Sequence, residues 1–218
     1  MPEPTRARKE LIVALRVSGC PVCRTAVVSV QRYLKSVFYE YVNDTGLRKR
    51  LHQSLGFCNL HAWQAVNQDL GNSLGFAMLY ESVINEVLNR RIKTNSHNND
   101  ARALFPTGNC PACDAWDNAV DSFINLLVRE FTNRSVVVAL QESDGLCLSH
   151  LVQTLGRKKD WPGAAALLEL HQEKLKDLQT ELKEFIRKND YRFSPEGYGS
   201  EADSWIRTIS MINGLSKA

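Results

Sequence analysis

The stretch that decides the fold is Cys20-Pro21-Val22-Cys23, because the chain repeats its pattern 90 residues later as Cys110-Pro111-Ala112-Cys113. A second motif recurs in step with the first: Cys58-Asn59-Leu60-His61 is followed 89 residues later by Cys147-Leu148-Ser149-His150. A Cys-x2-Cys pair therefore precedes a Cys-x2-His pair twice, and together the four pairs use all six cysteines. An internal repeat of this kind indicates a duplicated structural unit.

Each repeat supplies three thiolates and one imidazole, a donor set that predicts a tetrahedral metal site. The eight predicted ligands are Cys20, Cys23, Cys58, His61, Cys110, Cys113, Cys147 and His150. In a chain without an export signal, cysteines paired at this spacing indicate metal binding sooner than disulfides. We predict two Zn²⁺ ions as cofactors. Iron-sulfur clusters are the alternative, because cysteine sets with an occasional histidine also hold clusters.

The spacing leaves open which pairs share a metal. A first helix of about 20 residues rises about 30 Å, and a return helix of about 11 residues recovers only about 16 Å. Closure within one repeat is therefore tight, and the Gly56-Phe57 segment would have to help make up the difference. The alternative is an exchange, in which Cys20 and Cys23 join Cys147 and His150 and the other two pairs join each other. We favour closure within each repeat.

Helical periodicity runs through the rest of the sequence and predicts an all-α fold. After each Cys-Pro-x-Cys, apolar residues recur at helical spacing, turn residues at 43–46 and 133–135 start a shorter helix, and Gly56 and Gly145 mark its end. Each repeat is thus predicted to be a helical hairpin. Residues 164–188 predict a long C-terminal helix that packs on these hairpins, and its coiled-coil-like apolar seam also allows a homodimer.

At 218 residues with 44% hydrophobic content, the chain is long enough to bury a substantial core. We expect a first unit with its following helix at 1–92, a linker at 93–108, a second unit at 109–163 and C-terminal helices at 164–218. These parts are expected to form one compact domain.

The charge balance gives little indication of a partner. Twenty-seven basic and 24 acidic residues leave a net charge of +3, which is too small to indicate a dedicated nucleic-acid binder. A basic turn at Arg157-Lys158-Lys159 with Trp161 leaves open a local contact with phosphate groups. We find no export signal and no apolar run of about 18 residues, so no membrane span is predicted and a cytoplasmic location is expected.

No catalytic residues are predicted. The sequence lacks the phosphate-binding, dinucleotide-binding and nucleophile motifs of common enzymes, and four protein ligands leave a metal no open position. Outside the motifs, His52 reads as a surface residue with a possible supporting role at the metal, and His97 as a solvated linker residue. His171 reads as a satisfied core histidine.

Several segments resemble a family of prokaryotic proteins described only as a domain of unknown function. The resemblance is carried by the cysteine motifs, Leu79-Tyr80-Glu81, residues 187–193 and Asp203-Ser204-Trp205. It spans most of the chain and implies one shared architecture, but no activity. The hypothesis is therefore a helical protein with structural zinc that acts as a binding or adaptor module for an unknown partner. The alternative is an iron-sulfur electron carrier or redox sensor.

Overall fold

A computed structural model describes residues 5–90, 104–157 and 160–215. Over these residues the chain forms ten α-helices and no strand, so the predicted all-α fold is confirmed. The helices are α1 Arg6–Leu15, α2 Pro21–Tyr39, α3 Thr45–Ser54, α4 Asn59–Asn67, α5 Ser73–Asn89, α6 Pro111–Glu130, α7 Arg134–Glu142, α8 Leu148–Gly156, α9 Ala164–Lys188 and α10 Ser204–Asn213. Short 3₁₀ turns occupy Ser194–Glu196 and Ser200–Asp203.

The residue contacts divide the chain into two compact units. Unit 1 combines the residues up to Thr25 with those from Val120 onward, and unit 2 comprises Ala26–Ala119. Helices α2 and α6 each contribute residues to both units. Neither unit coincides with one sequence repeat, because each takes a Cys-x2-Cys motif from one repeat and a Cys-x2-His motif from the other.

Unit 2 is built from most of α2, from α3 to α5 and from the start of α6. Its core is a continuous set of buried side chains, comprising Val30, Leu34, Val37, Phe38, Leu47, Leu51, Phe57, Ala65, Leu70, Leu79, Val83, Cys110 and Ala112. Phe38 is at the centre, with its ring 5.9 Å from that of Phe57 and 3.9 Å from that of Phe76. Before Cys110, the backbone N–H of Thr107 donates to the carbonyl of Gln53, 2.8 Å away, which ties this segment to the end of α3.

Unit 1 is built from α1, most of α6 and all the later helices. Helix α1 packs on α7, and α10 packs on both α8 and α9. The fully buried side chains of this unit include Leu11, Leu15, Ile124, Leu127, Leu140, Leu146 and Leu167. Trp161 of the predicted basic turn is buried with its ring 4.9 Å from that of Phe131, and Arg157 pairs with Asp121. The other two basic residues of that turn lie outside the described residues.

Polar side chains cap the starts of helices, and two of these caps lie at the predicted turns. Asp44 caps α3 by accepting from the Leu47 N–H at 2.6 Å, and Asn133 caps α7 by accepting from the Ser135 N–H. Asn72 caps α5 in the same way, by accepting from the Gly75 N–H at 2.7 Å. These caps satisfy backbone N–H groups that a helix start leaves without intrahelical partners.

The predicted long helix at 164–188 coincides with α9. Of its seam residues, His171 and Leu178 are buried, while Leu168 is 42% exposed. Helix α9 contacts α10 and the Ser200–Asp203 turn of the same chain, so a homodimer through this helix stays a prediction. Over the described ranges, no helix combines the length and apolar character that crossing a membrane requires.

Candidate metal centres

The eight predicted ligands come together as two groups of four. Site 1 consists of Cys20, Cys23, Cys147 and His150, and site 2 consists of Cys58, His61, Cys110 and Cys113. Within each group the potential ligand atoms all lie within 4.8 Å of one another. Site 1 belongs entirely to unit 1, and site 2 belongs entirely to unit 2.

This arrangement corrects our expectation of closure within each repeat and matches the exchanged alternative. The physical reason is helix length. Helix α2 has 19 residues, a rise of about 28 Å, whereas the ten residues of α3 recover only about 15 Å. The short segment after α3 does not bring Cys58 back to Cys20, so each Cys-x2-Cys motif meets the Cys-x2-His motif of the other repeat.

All four ligand pairs occupy the same position on a helix. The first ligand of each pair immediately precedes a helix and the second is its third residue, as with Cys58 and His61 at the start of α4. This spacing turns both side chains to one side of the helix start. Two helix N-termini therefore meet at each site, and the positive ends of their dipoles stabilise thiolates. The prolines of both Cys-Pro-x-Cys motifs are the first helical residues, where no intrahelical donor is lost.

The short distances within site 1 centre on His150 Nδ1. It lies 3.5 Å from Cys20 Sγ, 3.3 Å from Cys23 Sγ and 3.2 Å from Cys147 Sγ. Cys23 Sγ and Cys147 Sγ are 3.7 Å apart, and neither is in a disulfide. All four residues are buried, so their donor atoms converge in a space screened from water.

Site 2 has nearly the same geometry but is less buried. His61 Nδ1 lies 3.3 Å from Cys58 Sγ, 3.7 Å from Cys110 Sγ and 3.5 Å from Cys113 Sγ. Cys58 Sγ and Cys113 Sγ are 3.8 Å apart. Cys110 and His61 are buried, whereas Cys58 and Cys113 are partly exposed.

Crowded thiols cannot all ionise without a cation among them. Burial raises the pKa of Cys113 to about 12, and the neighbouring Cys110 thiolate adds to that shift. In site 1, hydrogen bonds from Cys147 and Cys23 lower the pKa of Cys20, whereas the hydrogen bond with Cys147 raises the pKa of Cys23. A divalent cation reverses this balance because it stabilises three thiolates at once and releases their protons.

The imidazole of site 1 responds to the same crowding. Burial acts to lower the pKa of His150, but hydrogen bonds to Cys147 and Cys20 outweigh it and raise that pKa to about 9. A metal ion at Nδ1 would replace the proton that these thiolates otherwise attract.

The end of α10 covers site 1, which the sequence did not indicate. Gly214 has φ +83°, and a Cβ atom there would lie 3.1 Å from Cys23 Sγ and 3.3 Å from Cys147 Sγ. The hydrogen bond with Cys147 raises the pKa of Cys23, and a backbone hydrogen bond from Leu215 opposes part of that rise. In the sequence, Gly214 is typical of the end of a helix and gives no sign of site 1, because a contact between residues so far apart in sequence leaves no local signal.

A second supporting contact involves His171, the predicted core histidine. It is 1% exposed, its Nδ1 donates to the carbonyl of Leu167 at 2.8 Å, and its Nε2 accepts from the N–H of Leu146 at 2.8 Å. The prediction of a satisfied core histidine is therefore confirmed. Because Leu146 directly precedes Cys147, His171 fixes the backbone at a candidate ligand.

The remaining candidates lie away from the ligand groups. His52 Nε2 is 2.5 Å from Ser82 Oγ, which joins α3 to α5, and the described contacts of His52 include no ligand of site 2. His97 lies outside the described residues. In the segment 187–193, Arg192 forms an ion pair with Asp190 of the same segment, and Arg187 forms one with Glu184, which precedes the segment.

Comparison with known proteins gives a family but no activity. A family model described as a family of unknown function (DUF6062) matches residues 54–218, well over half of the chain. The chain is also 24% identical over 213 residues to an "Uncharacterized 23.9 kDa protein in xynA 3'region" of Caldicellulosiruptor sp. (strain Rt8B.4). That alignment covers 94% of this chain and 99% of the relative. No solved structure matches the chain.

Proposed function

This chain belongs to the family of unknown function DUF6062, and we propose that it is a helical protein stabilised by two structural zinc ions and serving as a binding or adaptor module. The observation that carries the proposal is the convergence of two Cys3His groups, each with its four donor atoms within 4.8 Å. Three thiolates and one imidazole in a tetrahedron are a common donor set of structural zinc.

The distances support a single ion in each site. Zinc bonds of about 2.3 Å to sulfur and about 2.0 Å to nitrogen, at tetrahedral angles, separate two sulfurs by about 3.8 Å and a sulfur from a nitrogen by about 3.5 Å. The Sγ pairs Cys23–Cys147 and Cys58–Cys113 are 3.7 and 3.8 Å apart, and the sulfur-to-Nδ1 distances in the two sites span 3.2 to 3.7 Å. In an iron-sulfur cluster the ligands bind different irons with sulfides between them, which favours wider separations.

The same geometry favours a structural role over a catalytic one. Four protein donors fill a tetrahedral ion and leave no position for water or substrate. Each ion would also join two helix starts that are far apart in sequence, such as those of α2 and α8 in site 1. Structural zinc sites contribute about 10–16 kcal/mol of apparent binding free energy, comparable to the stability of a whole domain.

The adaptor role is supported by apolar side chains exposed on α10. Trp205, Ile206, Ile209 and Ile212 are 49%, 51%, 51% and 42% exposed. Apolar residues grouped on one helix are typical of surfaces that bind another molecule. A cytoplasmic location is part of the proposal, since free thiols at metal sites require a reducing compartment.

The test is elemental analysis with a visible spectrum on protein purified anaerobically. We expect a colourless protein with about two zinc ions per chain, as the two donor groups predict. A brown protein containing iron and sulfide would overturn the zinc assignment and favour the electron carrier or redox sensor. A folded protein without any metal would overturn the proposal as a whole.

A further inference from the structure

We propose that Cys58 and Cys113 of site 2 are an oxidisable pair, which peroxide converts to a disulfide with release of the zinc of that site, while site 1 keeps its ion. The inference rests on the proposed function, because it requires zinc in both sites. It assigns different roles to two sites with the same donor set: site 1 is permanent, and site 2 responds to oxidants.

The cysteines of the two sites differ in their exposure to solvent. In site 1, Cys20, Cys23 and Cys147 are 3%, 2% and 1% exposed. In site 2, Cys58 and Cys113 are both partly exposed. Oxidation of cysteine follows thiolate character and solvent access. Because zinc keeps the thiolates of both sites deprotonated, access decides which site reacts.

The two sites also differ in what covers them. In site 1, the backbone of Gly214 lies so close to the sulfurs of Cys23 and Cys147 that an added Cβ would be 3.1 and 3.3 Å from them. A peroxide must reach a sulfur atom to react with it, and this segment lies directly over two of the three. In site 2, by contrast, the described residues leave Cys58 and Cys113 partly exposed to solvent.

The sulfurs of the two partly exposed cysteines of site 2 are neighbours. Cys58 Sγ and Cys113 Sγ are 3.8 Å apart, and a disulfide requires about 2.05 Å, so each sulfur must move by less than about 1 Å. Cys23 and Cys147 of site 1 are equally close, at 3.7 Å. Distance therefore does not separate the two sites, and the pair in site 1 is a built-in control for the effect of access.

The chemistry is balanced with hydrogen peroxide as the oxidant. One thiolate attacks the O–O bond to form a sulfenic acid, and the leaving oxygen is protonated to water. The second thiolate attacks that sulfur, the S–S bond forms, and the displaced oxygen leaves as a second water. The two sulfurs lose two electrons in total, the peroxide gains two electrons and two protons from solvent, and Zn²⁺ leaves because two of its four ligands are gone.

The experiment starts from protein with two zinc ions and adds hydrogen peroxide in the presence of a colorimetric zinc chelator. We expect one equivalent of zinc to appear about tenfold faster than the second, or more. After the first equivalent, alkylation and peptide mass mapping should show a Cys58–Cys113 disulfide, with Cys20, Cys23 and Cys147 still protected. Addition of a dithiol reductant and zinc should restore two ions per chain.

Matched variants separate the chemistry of site 2 from general instability. Cys58→Asp keeps an N-cap residue at the start of α4 and an oxygen donor for zinc, but removes one sulfur of the pair. Its fast phase of zinc release should be lost. Cys147→Asp makes the same change at the start of α8 in site 1 and should leave the fast phase of site 2 intact. If Cys58→Asp cannot hold zinc in site 2, disulfide mapping of the unmodified protein decides.

The possible failures are distinguishable. Protein purified without metal contradicts the proposed function. Protein that carries two zinc ions but releases both at one rate, releases the ion of site 1 first, or forms a disulfide other than Cys58–Cys113 contradicts the oxidisable pair alone.

Discussion

His171 Nε2 accepts a 2.8 Å hydrogen bond from the backbone N–H of Leu146, the residue directly before Cys147. The opposite ring nitrogen lies 2.8 Å from the carbonyl of Leu167, an acceptor, so His171 is neutral with its proton on Nδ1. Gly145, with φ +84°, lets the backbone approach this ring, because a Cβ there would lie 3.0 Å from Nε2. A buried residue of α9 thus holds the segment that presents Cys147, a candidate ligand of site 1.

Replacement of His171 by leucine should destabilise the protein and weaken zinc binding at site 1. The change keeps an apolar side chain of similar reach in the core but leaves the buried N–H of Leu146 without an acceptor, a loss of about 1–3 kcal/mol. Urea unfolding of the zinc-loaded protein and chelator competition measure the two effects. The control is Gln172→Leu, one residue further along α9 and exposed. Equal stability of both variants would mean that the His171 contact is not stabilising.

Acid should destabilise the protein partly through His171. Burial lowers the pKa of His171, Lys174 lowers it further, and the hydrogen bond with Leu167 and the charge of Cys20 oppose this. The unfolded chain therefore binds a proton at this histidine below about pH 6.5, while the folded chain does not. Stability should be complete above that pH and should fall as the pH drops toward the lowered folded pKa.

Zinc ligands also take up protons in this range, so the measurement is a difference between two proteins. We expect the free energy of unfolding to fall more steeply from pH 7 to pH 5.5 in the unmodified protein than in His171→Leu, which has the same zinc ligands. Parallel pH profiles would show that His171 is protonated equally in the folded and unfolded states.

Gly214→Ala should weaken site 1 by more than backbone strain alone. Its φ of +83° with ψ −178° lies in a region that almost only glycine adopts and costs an L-residue about 1–3 kcal/mol, and the new methyl group would also press on the sulfurs of Cys23 and Cys147. Gly197→Ala is the control, because Gly197 also has a positive φ, +66°, but no atom lies within 4 Å of its added Cβ. Chelator competition should show faster loss of one zinc ion in Gly214→Ala only, and melting curves should show the larger drop in Tm for that variant.

The sequence predicts the helices of this protein well where apolar periodicity is long and bounded. Helix α9 begins and ends at the predicted residues, 164 and 188. Helical spacing alone is misleading at Leu74, which has the spacing of a core residue of α5 but is 67% exposed. The buried face of α5 instead begins at Gly75, where an added Cβ would lie 2.8 Å from the Phe38 carbonyl. A glycine that permits close backbone packing carries no hydrophobic signal. The apolar pattern therefore places the start of the buried face at Leu74, one residue before its actual start at Gly75.

The residues of the two donor groups could be predicted from the sequence, but their pairing could not. Cysteine spacing reports that two donors share a helix start, which is a local property. Which helix starts meet depends instead on contacts between residues that are far apart in the sequence, and spacing does not report these. The N-terminal helix α1 was missed for a similar reason, since it buries only Leu11 and Leu15 and packs on α7 from the far end of the sequence.

The exchanged pairing gives a sharp prediction for Cys147→Ser. Loss of this ligand should reduce the zinc content from two ions to one and should make Cys20 and Cys23 reactive toward iodoacetamide, because they share site 1 with Cys147. Cys110 and Cys113 should stay protected by the ion of site 2. Closure within each repeat predicts the opposite pattern, so that exposure of Cys110 and Cys113 in this variant would refute the exchange.

The reciprocal variant makes the result independent of general unfolding. Cys58→Ser should expose Cys110 and Cys113 and leave Cys20 and Cys23 protected, since site 2 then lacks one of its three sulfurs. Differential alkylation followed by peptide mass mapping reads both variants in one experiment. A variant that merely unfolds exposes every cysteine. The exchange instead predicts that each substitution exposes the two cysteines of the Cys-Pro-x-Cys motif in the other repeat and leaves the other site intact.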